Sequence, residues 1–345
     1  MSRSCIRIVR SLVWACALLA IGSAPASAAK LLVSNTFVST VDVYDTSGTL
    51  LQANFIAPNS GGLALAANIV IGPDGSIYVS SNLNSRVIVY EPVNGQPVGT
   101  ALLRDGAAPS GLAFDSGGRL YVGDQGSKSV FVFDSSLAPV PGDTITIPGQ
   151  NVGGIDFDAA GRLFITSFGT SEVYVHESGM VSLFASAGLG GLTFPGGIEV
   201  GPDGSVYVAN IFGNSISKFD NTGTPVDGQD GPGLPFITIP LADFPVPGGI
   251  SFPGNAPTDI IFDTNGDLLI AFQGPTNPLE TPHPLGGLLR YSTTGVLLAE
   301  LAYPIQSASS LVLLEDVDAV PEPSTFVLGL TGIMVLVFWG WKRHR

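Results

Sequence analysis

The chain has 345 residues and a formal charge of −14; 12% of it is charged, 45% is hydrophobic, and 44 Gly and 26 Pro make up about a fifth of it. So much apolar material excludes a disordered chain, and turn formers at that density exclude a helical bundle or coiled coil. A β-rich globular chain remains, long enough for a large core or one closed barrel-like assembly.

The first 28 residues read as a secretory signal. Arg3, Arg7 and Arg10 precede an apolar run over 11–22 that is short for a membrane span, and Ala26-Ser27-Ala28 follows. Small residues at Ala26 and Ala28 suit signal peptidase, which places cleavage before Ala29. Both cysteines, Cys5 and Cys16, fall inside this segment. The mature chain therefore reaches an oxidising compartment with no disulfide and depends on its core. From 29 to 320, eight basic residues face twenty-seven acidic ones, a balance of −19. Such a surface repels phosphate backbones, so no nucleic-acid partner is expected.

The first β segment, Leu31-Leu32-Val33-Ser34-Asn35, matches Tyr78-Val79-Ser80-Ser81-Asn82, the second strand of a repeat. That repeat is clearest at Gly72-Pro73-Asp74-Gly75-Ser76-Ile77-Tyr78-Val79 and returns around Gly118, Gly161, Gly204 and Gly266, at steps of 43, 43, 43 and 62 residues. A period near 40–45 built from short alternating strands signals propeller blades. Within a unit, the turn before each repeat glycine needs φ > 0 at that glycine, and apolar alternation flanks it. Around Gly161 the strands read as 154–157, 163–166, 172–176 and 181–184, four of about six residues. Polar turns such as Asp45-Thr46-Ser47-Gly48 and Asp220-Asn221-Thr222-Gly223 join third to fourth. Tyr78, Tyr121, Phe164 and Tyr207 recur with the blade and read as inter-blade core. After the sixth unit, 310–315 forms an inner strand with no blade of its own. Its pairing with 31–35 closes the ring and removes both open edges. The expectation is an all-β, six-bladed β-propeller over 29–317. The pattern resembles the NHL and gluconolactonase-like six-bladed propellers over roughly 30–316.

In such blades the inter-blade and second-to-third-strand loops share one face. The long segments 186–196, 244–258 and 273–287 fall there, so that face is expected to bind. On the opposite face, 227–231 (DGQDG) has two aspartates but lacks the full spacing of a calcium loop. Along the inner strands, one register reads Val70, Ala113, Asp156, Glu199, Ile261, Val312. Asp156 and Glu199 are carboxylates on adjacent blades at a channel, where burial demands water, a cation or a shifted pKa. Asn68 and Asp259 stand at the mouth of the same strands, with Gly111, Gly154 and Gly197 between them. The gluconolactonase resemblance implies metal-binding Asn and Asp at such strand starts together with a glutamate, and that glutamate is missing from the first blade. Asp156, Glu199, Asn68 and Asp259 are thus the candidate metal residues, with Ca²⁺ the candidate ion. His176 ends a third strand and His283 sits in the longest loop. No Gly-x-Ser-x-Gly elbow, mature Cys or metal-spaced His pair occurs.

The tail carries a second address. Residues 324–341 are eighteen uncharged residues, just long enough to span a bilayer, followed at once by Lys342, Arg343, His344 and Arg345. Pro321-Glu322-Pro323 stands immediately before. The tripartite pattern over 318–345 resembles the PEP-CTERM sorting signal of Gram-negative bacteria. The resemblance implies recognition by an exosortase, transient membrane anchoring through the helix, and release or transfer to the cell surface. The expected function is an exported cell-surface or matrix propeller, not an enzyme, that binds an extracellular polymer or protein. A calcium-dependent lactonase or lyase using the four channel residues is the alternative.

Overall fold

The computed structural model describes residues 29–228, 230–239, 256–274 and 285–314. Its strands form six four-stranded antiparallel sheets, one per blade. Blade 1 is a composite: the last strand, Ala308–Leu314, lies inside Lys30–Asn35, Thr40–Asp45 and Leu50–Ile56. Leu32 pairs with Val312 and Val33 with Leu311, the closure expected from the sequence. Blades 2 to 6 begin with inner strands Ala66–Ile71, Pro109–Phe114, Val152–Phe157, Pro195–Val200 and Ala256–Phe262. Each inner strand touches the next, and Ala308–Leu314 touches those of blades 6 and 2, so the ring is complete.

The chain repeats because each turn repeats. Gly75, Gly118, Gly161, Gly204 and Gly266 all sit at φ between +76° and +83°, where a side chain is strained. The aspartate before the glycine caps the loop; the N–H groups of Gly117 and Arg119, for instance, both donate to Asp115 Oδ1, at 3.0 and 2.9 Å.

An apolar cluster fills each of the six boundaries between neighbouring blades. Leu32, Val41, Ile69 and Tyr90 join blades 1 and 2, and Leu31, Val33, Leu269 and Leu288 join blades 6 and 1. The recurrent rings are core: Tyr78, Tyr121 and Tyr207 meet Phe114, Phe157 and Phe262 of the next inner strand edge-on, at centroid distances of 4.9, 4.9 and 5.2 Å.

The expectation of six-residue outer strands fails in two blades. In blades 3 and 5 the fourth strand shrinks to Ile145–Thr146 and Ile237–Thr238. Pro139 and Pro141 precede the first, and Pro225, Pro232 and Pro235 the second. Proline cannot donate to the ladder, so these segments leave the sheet early.

Among the described residues no helix is long and apolar enough to cross a membrane. The signal over 1–28 with Ala26 and Ala28, the sorting motif Pro321, Glu322 and Pro323, the helix expected at 324–341, and Lys342, Arg343 and Arg345 lie outside the described residues. So do His283 and most of the two longest loops.

Candidate functional site

The inner strands of blades 2 to 6, like the closing strand Ala308–Leu314, share a defect at the same end. Between Ala66 and Ile69, Pro109 and Leu112, Val152 and Ile155, and Pro195 and Ile198, the register with the second strand slips; in blade 6 the slip lies between Pro257 and Asp259. A bulge bends the strand and re-aims its side chains, and these bulges surround the mouth of the central channel.

The slip leaves Thr258 unpaired in blade 6 and Ser309 in blade 1, and the residue next to it towards the strand interior differs around the ring. In blades 6, 1 and 2 it is Asp259, Ser310 and Asn68. Each accepts a hydrogen bond from an N–H of the following blade: Leu311 to Asp259 Oδ2 at 3.3 Å, Ile69 to Ser310 Oγ at 3.2 Å, and Leu112 to Asn68 Oδ1 at 3.0 Å. The side chains also bond one another. Asn68 Nδ2 donates to Ser310 Oγ at 2.9 Å, and the Ser310 hydroxyl donates to Asp259 Oδ2. In blades 3, 4 and 5 the residue is Gly111, Gly154 or Gly197. A Cβ on Gly154 would stand 2.7 Å from Gly196 O and 2.9 Å from Ile198 N, so backbone packs on backbone there. One layer deeper, Asp156 repeats the latch: Val200 N donates to Oδ2 at 2.7 Å and Phe157 N to Oδ1 at 2.8 Å.

Asn68, Asp156, Glu199 and Asp259, the four residues singled out in the sequence, line one cavity of about 270 Å³ on the propeller axis. Its other described walls include Val70, Ile198, Ile261 and Val312, and none of its described lining residues is Lys, Arg or His. Burial pushes Asp259 up to about 6, against the opposing pull of the Ser310 hydroxyl and the Leu311 and Ile260 N–H groups. Burial, then the charges of Asp156 and Asp259, hold Glu199 well above the usual carboxylate range. Asp156 is raised too, chiefly by burial, with the Val200 and Phe157 N–H groups opposing. Three acids in one enclosure with no basic neighbour retain protons that exposed carboxylates would lose.

An all-oxygen donor set suits Ca²⁺. Here, however, Asp156, Asn68 and Asp259 already bond across the blades, and Glu199 is the member without a hydrogen-bond partner among the described residues. No group of three or more His, Cys, Asp and Glu side chains among the described residues is placed to hold a metal. A cation bound here would have to displace existing latches. Asp227, from the acidic loop on the opposite face, accepts from Gly233 N at 3.0 Å and closes a turn.

A second feature lies on the channel-mouth face, and sequence reasoning missed it. Phe168 comes from the second-to-third-strand turn of blade 4, Phe212 from that of blade 5, and Phe194 from the crossover between them. The three rings meet edge-on at 5.4, 5.8 and 5.2 Å. Phe212 is 66% exposed and Phe194 40%. Phe194 holds a left-handed φ of +44°, fixed by its N–H donating to Ser171 Oγ at 2.9 Å and its carbonyl accepting from Ile211 N at 3.1 Å. Rings clustered in water on a rigid scaffold form an adhesive surface. The crossover belongs to the segment 186–196 expected to bind, but the spacing of the three phenylalanines matches no simple period.

No protein-family model matches the chain, and no curated protein matches it. Solved structures do. A chain of a nidogen/laminin complex superposes at TM-score 0.61 with 12% identity, over 83% of this chain and 98% of that one. A streptogramin B lyase gives 0.55 and 14%, over 84% and 88%. Regucalcin from Agrobacterium tumefaciens, described as a calcium-binding protein, gives 0.50 and 17%, over 72% and 77%. At these identities the likeness is one of fold: a six-bladed propeller with neighbours of the NHL and regucalcin type.

Proposed function

We propose that this chain is an exported propeller that binds an extracellular polymer or protein through its channel-mouth face, with the Phe168–Phe194–Phe212 cluster as the anchor. The observation that carries this reading is the exposed aromatic cluster, held by backbone bonds on the face where scaffold loops gather. The acidic surface favours a neutral or cationic partner. Delivery follows the two ends of the sequence: signal peptidase removes 1–28, the tail helix holds the chain at the membrane, and an exosortase acts at Pro321-Glu322-Pro323. The test is retention of the full chain on immobilised extracellular polysaccharides and matrix proteins. Phe212→Ser with Phe194→Ser should lower retention at least about tenfold without altering the fold, since hot-spot aromatics dominate interfaces. Unchanged retention in that variant would overturn the reading.

A second reading has its own support in the gathering of Asn68, Asp156, Glu199 and Asp259 at one cavity. It makes the channel a calcium site of a lactonase- or lyase-like enzyme. Elemental analysis decides it: one calcium per chain, lost in Asp259→Ala together with turnover of a lactone, supports it, and metal-free protein refutes it.

A further inference from the structure

The boundary between blades 3 and 4 and that between blades 5 and 6 are built on the same plan and both have an apolar core, yet towards the hairpin-turn face one is filled and the other open. Tyr121 of blade 3 corresponds to Tyr207 of blade 5: each pairs with the third position of its own blade, Val132 or Lys218, and stacks edge-on against the next inner strand. Thr144 and Phe236 also correspond, each preceding the two-residue outer strand. In blade 5 the Phe236 ring lies 5.9 Å from Tyr207, and Lys218 Nζ sits over both, at 5.1 and 4.8 Å. Tyr291 of blade 6 completes that cluster. In blade 3 a threonine replaces the phenylalanine and a valine the lysine; His176 of blade 4 stands where Tyr291 stands in blade 6. The turn glycines report the difference. A Cβ on Gly295 would meet Phe236 O at 3.2 Å, whereas one on Gly179 would meet nothing within 4 Å.

The space left open is a groove on the hairpin-turn face. Two cavities of about 520 and 450 Å³ share Arg119, Tyr121 and His176 in their walls, a size typical of ligand sites. Its charges cancel. Arg119 Nε binds Asp115 Oδ2 at 2.7 Å and its Nη1 binds Asp143 Oδ2 at 3.2 Å, while Arg162 Nε binds Asp158 Oδ2 at 2.6 Å. Burial lowers the His176 pKa, which keeps the imidazole neutral, with one donor and one acceptor nitrogen. Exposed Thr144 and Thr146 add hydroxyls above an apolar floor of Ile145 and Val181. Nothing in this lining offers net positive charge to an anion or an unpaired carboxylate to a cation. Planar guanidinium–carboxylate pairs beside hydroxyls match vicinal hydroxyl groups.

We infer that the groove between blades 3 and 4 is a binding site for a segment of neutral oligosaccharide. It lies on the opposite face from the aromatic cluster and does not rest on the function proposed above. The test is titration of the full chain with cellotetraose, laminaritetraose, maltotetraose and chitotetraose, read by calorimetry and saturation-transfer NMR, with tetragalacturonate as the anionic control. At least one neutral tetraose should bind. Thr144→Phe, which installs the blade 5 filling, and Arg119→Ala should each weaken binding about tenfold or more, while Leu83→Ser, at an exposed side chain of blade 2, leaves it unchanged. Should Thr144→Phe not fold, His176→Ala with Arg119→Ala carries the same test. Absence of binding by all four neutral sugars, tighter binding of tetragalacturonate, full affinity in the groove variants, or loss of binding in Leu83→Ser instead would each overturn the inference.

Discussion

The channel mouth has two halves. Blades 3 to 6 meet through Gly111, Gly154 and Gly197, where no side chain fits between neighbouring strands. Blades 6, 1 and 2 meet through the chain Asp259–Ser310–Asn68, where hydrogen-bonded side chains join neighbouring strands. The second half contains the closing strand. Continuous chain joins the first half blade to blade, so close packing suffices there. In the second half, strand Ala308–Leu314 must find Lys30–Asn35 at the far end of the sequence, and directional hydrogen bonds define its position as well as hold it.

The largest effect should come from breaking the tight half. Gly154→Val has no space for even its first carbon and should cost about 3 kcal/mol or more, read from the urea midpoint. The acids facing the channel give the next effect, and its sign is unusual. Asp259 rises from its ordinary value to about 6 on folding, so the native state holds a proton that the unfolded state has released. The stabilisation from that proton is full below about pH 4 and is lost as pH rises through 6, roughly 2 to 3 kcal/mol. Asp45, Asp134 and Asp220 act oppositely. Hydroxyl and backbone donors, led by Ser47, Ser136 and Thr222, lower them, so their contribution fades in acid. Stability should therefore peak near pH 4 to 5 and decline towards 7.5, with a flatter decline in Asp259→Asn; a rise from pH 5 to 7.5 would contradict the channel assignment.

Removing the hub of the polar half comes third. Ser310→Ala leaves Asn68 Nδ2 and Ile69 N without their acceptor and should cost about 2 kcal/mol. In a double-mutant cycle it should couple strongly with Asn68→Ala and negligibly with Asp220→Ala, which lies in a remote turn. The smallest effect sharpens the contrast between scaffold and surface: Phe212→Ser should leave the urea midpoint within about 0.5 kcal/mol of wild type, because that ring is largely in water.

Much of this architecture was legible from the residues. The repeat glycines all adopt the positive φ their turns require, the recurrent tyrosines are core, and 310–314 closes on 31–35. The site was legible in part. Asn68, Asp156, Glu199 and Asp259 do share a cavity, because inner-strand alternation points every second residue towards the axis. Ser310 escaped notice, although it holds the place in its strand that Asn68 and Asp259 hold in theirs, because a serine in a closing strand carries no signal of its own. The short outer strands of blades 3 and 5 were also missed, although their prolines announced them.

Turn chemistry and two-residue alternation act between near neighbours, so the amino-acid order alone determined the number of blades, the turns and the closing strand. Tertiary structure alone decided which distant groups meet: Ser310 with Asn68, three phenylalanines from two blades and a crossover, Thr144 beside His176. Those meetings depend on how far each blade is rotated and offset against the next, and that is set by the packing of whole sheets rather than by any local preference.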